Sequence, residues 1–126
     1  MKQIPLKKFL PGSLWFLLVL VLICLPQADI PEVDDWFHRV YFDKWVHAGM
    51  FGILAFLFMW PFQKSDLPDF RKKQTYLIIA ILTSCWGFAT ECIQRYIPGR
   101  SYDLLDWMAD SFGIVLVLIF ARKRLI

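Results

Sequence analysis

The stretch Leu104-Leu-Asp-Trp-Met-Ala-Asp-Ser-Phe-Gly-Ile-Val-Leu-Val-Leu-Ile-Phe-Ala121, closed by Arg122-Lys123-Arg124, decides the fold. Its length is what a helix needs to cross a bilayer, since about 18–20 residues at ~1.5 Å each span a hydrocarbon core of ~30 Å. Two aspartates sit in its first turns and a basic triplet stops it. An ionisable side chain inside such a run costs roughly 2.5–3.5 kcal/mol on insertion scales, so Asp106 and Asp110 are functional candidates by default.

Three further runs of near-spanning length precede it, at 9–25, 45–62 and 75–93. The whole chain of 126 residues is 58% apolar, above the roughly 45–50% of soluble domains. A soluble domain of this size would have too little polar surface to cover that core. The expectation is an all-α membrane protein, a four-transmembrane-helix bundle in which residues 1–126 form a single membrane domain.

The first helix is expected from about Phe9, with Pro11 tolerated in its first turn, to just before Pro26. Lys7, Lys8 and the apolar stretch after them imitate a cleaved signal peptide. Pro26 stands at the −3 position before Ala28, however, and the bulky Ile23 precedes Cys24, so a retained anchor is expected. The connection 27–42 mixes Asp29, Glu32, Asp34 and Asp35 with Trp36, Phe37, Tyr41 and Phe42, which suggests a short interfacial helix before the second span. The second helix is expected from about 43 to 60, stopped by Pro61, and the third from 75 to about 96, after a polar loop at 62–74. Gly87 and Ala89 would let neighbours approach the third helix closely. Ile97-Pro98-Gly99 reads as a turn, with Ser101 or Asp103 capping the fourth helix.

Charge sets the expected orientation. Lys2, Lys7, Lys8, Lys64, Arg71, Lys72, Lys73, Arg122, Lys123 and Arg124, ten of the 14 basic residues, fall on one side of the spans, against Arg39, Lys44, Arg95 and Arg100 on the other. Positive residues favour the cytoplasmic side, so both termini are expected there. These clusters read as topology signals, and no nucleic-acid partner is expected. Cys24, Cys85 and Cys92 lie in apolar runs without a pairing pattern, which supports neither a disulfide scaffold nor a zinc site. No glycine-rich phosphate loop or nucleophile elbow occurs.

On this topology the intramembrane polar residues share one side, the extracytoplasmic one. Asp43 and His47 are four apart and face one way, and Lys44 is offset so that it can snorkel to headgroups. Glu91 and Gln94 share a face of the third helix, and Asp103, Asp106, Asp110 and Gly113 draw a stripe along the fourth. Short loops make sequential helices neighbours, so these faces can meet. Carboxylates gathered in a low dielectric cannot all stay ionised. They must pair with Arg100, Arg95, Lys44 or His47, bind a cation or take up protons, and the planar fork of Arg100 suits them best. Such a network is either a scaffold that fixes the bundle or a ligand-binding or catalytic pocket. Interhelical polar contacts in membranes average only about 0.6 kcal/mol, which favours the pocket. His47 and Glu91 are the catalytic candidates. A divalent cation on His47, Asp106 and Asp110 has one histidine and no cysteine pair behind it, so neither a metal nor a cofactor is expected.

The ordered set Asp43-Lys44…His47…Phe51, Glu91…Gln94, Pro98-Gly99-Arg100-Ser101…Asp103…Asp106 and Gly113 resembles the VanZ-like family of small bacterial membrane proteins, over about residues 40–115. The resemblance implies about four spans in a bacterial plasma membrane, the motifs at the extracytoplasmic surface, and an association with resistance to lipoglycopeptides of the teicoplanin type. It implies no defined reaction. Asp110 stands where that family usually has asparagine, which makes this pocket more acidic. Two functions follow as expectations. The first is an envelope factor whose pocket (Asp43, Lys44, His47, Glu91, Gln94, Arg100, Asp103, Asp106, Asp110) binds a membrane lipid headgroup or lipid-linked envelope intermediate. The alternative is a membrane enzyme acting on such a headgroup, with His47 or Glu91 as general base.

Overall fold

The computed structural model describes residues 4–24, 36–97 and 104–125, the side chains of residues 36–43 excepted. Among these residues every regular element is helical. A 3-10 turn at Leu6–Phe9 leads into α1 (Leu10–Cys24), and α2 (Trp36–Met59) is followed by a 3-10 turn at Trp60–Phe62. Then come α3 (Asp69–Gln94) and α4 (Leu104–Arg124). Four helices are long and apolar enough to cross a membrane, over Leu6–Cys24, Lys44–Phe62, Asp69–Gln94 and Leu104–Arg124.

Two boundaries differ from the sequence reading, and both have a local cause. The aromatic segment expected to lie separately in the interface joins α2 from Trp36 onward. Between Trp36 and Ala48 there is no proline or glycine, and Val40 is the only β-branched residue before Val46, so nothing interrupts the helix. Residues 25–35 of that connection lie outside the described residues. Helix α3 starts at Asp69, six residues before the expected Thr75. Pro68 holds the extended conformation of a helix entry and Asp69 places its charge on the amide end of the helix dipole. At 26 residues α3 is about 39 Å long, so its basic first turns, with Arg71 and Lys73 exposed, extend past a ~30 Å core. The turn at 98–99 and the capping residues Ser101 and Asp103 also lie outside the described residues.

Helices α2 and α4 share the largest interface, α3 packs on both, and α1 rests on α2 and α3 from outside. The apolar core joins Phe51, Leu54, Ala55 and Met59 of α2 with Tyr76 and Ala80 of α3 and Ile114 and Ala121 of α4. Its outward surface is apolar as well, with Leu14, Leu17, Val21, Ile78, Ile81, Leu82, Phe112 and Leu116 exposed. The interior meanwhile holds His47, Thr83, Thr90, Glu91, Gln94, Asp106 and Asp110. Apolar outside and polar within is the arrangement that lipid stabilises and water does not.

The α2–α4 contact is backbone against backbone. A Cβ at Gly113 would lie 2.1 Å from the Ala48 carbonyl oxygen, so only glycine fits there. Gly52 continues the seam, where a Cβ would be 3.3 Å from the Gly113 oxygen. Lipid offers no hydrophobic drive between helices, so close packing of small residues is what holds them. This contact decides the site, because Ala48 follows His47 directly and Gly113 lies one turn beyond Asp110. At the other end of the bundle the Tyr76 hydroxyl donates to the Leu125 carbonyl at 2.6 Å, and Lys72 Nζ donates to the Gln63 carbonyl at 2.6 Å.

Candidate functional site

The polar residues converge where α3 ends and α4 begins, against the middle of α2, where the span Lys44–Phe62 starts. The close backbone approach of Ala48 and Gly113 brings the side chains of α2 and α4 into contact there. His47 Nδ1 lies 2.9 Å from Asp110 Oδ1. Its other ring nitrogen, Nε2, lies 3.7 Å from Asp106 Oδ2. Asp106 Oδ1 in turn accepts a short hydrogen bond from Lys44 Nζ. Glu91 reaches the same place from α3, and one potential ligand atom from each of His47, Glu91 and Asp106 falls within 4.8 Å of the others.

Burial here is nearly complete. Glu91 and Asp110 are 0% exposed, His47 4% and Asp106 7%. The Lys44 side chain, 21% exposed, is the most open member. A carboxylate facing Nδ1 makes that nitrogen the donor, so in a neutral ring Nε2 carries the lone pair toward Asp106. Gly87, one turn before Glu91, makes room for Asp110, since a Cβ there would come 3.1 Å from Asp110 Oδ2. Helices α2, α3 and α4 thus each supply both an ionisable side chain and a small residue that admits a neighbour.

Of the residues singled out from sequence, Lys44, His47, Glu91, Asp106 and Asp110 meet in this cluster. Gln94 is buried at the same end of α3, three residues beyond Glu91. Lys44 does not snorkel away. It stands only three residues before His47, some 60° round the helix, and its long stem folds over to Asp106. Arg95, a candidate partner for the carboxylates, is exposed at the end of α3. The side chain of Asp43, and Arg100 and Asp103 altogether, lie outside the described residues.

Two apolar grooves lie along the flanks of the bundle, one at Ile81, Cys85, Phe88 and Trp107 and one at Phe16, Phe58, Phe62 and Trp86. Beside the first, sequence reasoning missed a polar clamp between α3 and α4. Trp107 Nε1 donates to the Ser84 carbonyl at 3.0 Å, and the Ser84 and Ser111 hydroxyls are 2.8 Å apart. The signal was two serines inside apolar runs.

No family model matches the chain, and no solved structure matches it. Among curated proteins it is similar to the uncharacterized protein C11E3.10 of Schizosaccharomyces pombe, with 31% identity over 87 residues. The match covers 66% of this chain and 51% of that protein, so the chain spans about half the length of the curated relative it matches.

Proposed function

We propose that the chain is a four-span protein of a bacterial plasma membrane, with both termini cytoplasmic, whose buried polar cluster is an extracytoplasmic site for the headgroup of a membrane lipid or lipid-linked envelope intermediate. The observation that carries this reading is the meeting of five ionisable side chains from three helices at one end of an otherwise apolar bundle. A scaffold has no need of so many charges, because interhelical polar contacts in membranes return little stability. The most exposed member, Lys44, marks the entrance, and with Arg100 it meets the anionic part of the headgroup while Gln94 adds neutral hydrogen bonds. The resemblance to the VanZ-like family supports the orientation and a link to teicoplanin-type resistance, through occupancy of a headgroup that the antibiotic needs.

A second reading, a membrane enzyme acting on that headgroup, is favoured by one observation. Asp110 holds the His47 ring by Nδ1 and turns Nε2 inward, the arrangement of a general base with an orienting carboxylate.

Native mass spectrometry of protein extracted with its own lipids tests the binding reading. Wild type is expected to carry a defined headgroup species that Arg100→Ala and Lys44→Ala lose. The same lipid profile in all three would overturn it. Turnover of that lipid by wild type but not by His47→Gln would establish the enzyme reading.

A further inference from the structure

We infer that His47, Glu91 and Asp106 form a binding site for one divalent transition-metal ion, with Asp110 as the residue that positions His47. The three ligands come from three helices, and their ligand atoms lie within 4.8 Å of one another. All three are buried, unlike the exposed acidic groups that gather on protein surfaces without an ion.

The separation of His47 Nε2 from Asp106 Oδ2 points to a bridging ion. At 3.7 Å it is longer than a hydrogen bond. Two ligands each about 2.0–2.2 Å from one metal stand ~3.3–3.6 Å apart at a tetrahedral angle and ~4.0–4.4 Å apart in line. The observed gap falls between those limits. Both ligands are also held from behind. Asp110 occupies Nδ1 of His47, which presents Nε2 as the lone pair, the way metal-bound imidazoles are oriented by a carboxylate. Lys44 occupies Oδ1 of Asp106, which leaves Oδ2 turned toward the ring. Gly87 fixes Asp110 in turn, since any larger residue would press on its carboxylate.

The donor set selects the ion. One imidazole with two carboxylates suits zinc or a neighbouring first-row ion better than magnesium or calcium, which take oxygen ligands alone. Three protein ligands leave a coordination position open, as in catalytic rather than structural sites. That position would take an oxygen of a phosphate or carboxylate, beside the ammonium of Lys44. The ion thereby lets an acid-rich cluster bind an anionic headgroup. This assignment of the ligand rests on the function proposed above; the metal site itself does not.

The test uses the full chain, purified in detergent through a tag without histidines, stripped with chelator and re-equilibrated with Zn2+ or Co2+. Elemental analysis is expected to find one ion per chain, and Co2+ to give the visible absorption of a site with protein nitrogen and oxygen ligands. His47→Ala and Glu91→Gln should weaken binding by at least about 10-fold. Asp110→Ala should weaken it about 10–100-fold, and Asp110→Asn, which keeps an oxygen facing Nδ1, should restore most of the loss. Wild-type protein that takes up only a small fraction of an ion and leaves the Co2+ spectrum that of the aqueous ion would overturn the site, whatever the variants do. Affinity unchanged in both His47→Ala and Glu91→Gln would overturn it equally. Lipid retained by a chain that binds no metal also overturns the inference and leaves the headgroup pocket standing. Metal bound to a chain that retains no lipid supports the site and removes its assigned ligand.

Discussion

Gly113→Ala should damage the site without touching any of its polar residues. The added Cβ would sit 2.1 Å from the Ala48 carbonyl oxygen and 2.8 Å from its carbon. Unstrained heavy-atom contacts begin near 3.5 Å, so α2 and α4 must part by roughly 1.4 Å. That displacement carries His47 Nδ1 and Asp110 Oδ1 from 2.9 Å past the ~3.2 Å end of the hydrogen-bond range. Overpacking costs about 1–3 kcal/mol, and a lost bond to a charged group about 1.5–3 kcal/mol. The sum is about 3 kcal/mol or more, read as the drop in unfolding free energy on titrating mixed micelles with SDS. Gly49→Ala is the control, because a Cβ there meets nothing within 4 Å. It trades glycine for a better helix former and should be neutral or stabilising by up to about 1 kcal/mol. Equal stability of the Gly113→Ala and Gly49→Ala proteins would refute the backbone seam as the element that assembles the site.

Tyr76→Phe removes the hydroxyl that binds the Leu125 carbonyl at the opposite end of the bundle. It should cost about 1 kcal/mol in the same assay and leave any ligand at the site unchanged. Asp106→Leu alone leaves Lys44 facing an apolar group and should destabilise more than the double change Lys44→Met with Asp106→Leu, since an isostere pair spares the desolvation of both charges. A double variant less stable than Asp106→Leu would reverse that order. For topology, a membrane-impermeant thiol reagent added outside intact cells should label a cysteine placed at Asp34 or Gly99 and miss one at Ser65. Labelling at Ser65 alone would move the site to the cytoplasmic face.

The spans were legible because length and apolarity are local properties, and residues 104–121 announce theirs outright. The stripe of Asp106 and Asp110 with Gly113 was legible because helical period fixes which residues share a face. Helix starts were less so. Trp36 to Phe42 read as an interfacial piece by its aromatic content, yet nothing in its backbone chemistry ends a helix, and α2 simply begins earlier. What sequence could not supply was the pairing across helices. Period places Asp106 and Asp110 together, but the depth at which Gly113 meets Ala48 decides that Asp110 takes Nδ1 and Asp106 faces Nε2. The same holds for Lys44, whose stem reaches either headgroups or Asp106 until the position of α4 is known. It holds again for Ser84 and Ser111, unremarkable apart and bonded once α3 and α4 cross.

Glu91→Gln measures the central claim most directly. The change keeps the shape of a side chain that is 0% exposed and removes its charge. Protein abundance, SDS unfolding and native mass spectrometry are taken on the same preparation. A working site predicts near-normal abundance and stability with the bound headgroup species gone. A mere scaffold predicts the reverse coupling, because breaking a buried ionic network costs about 3–5 kcal/mol and ligand would fall only as folded protein falls. A stable Glu91→Gln protein that keeps its headgroup, or one whose abundance and ligand decline together, would contradict the account.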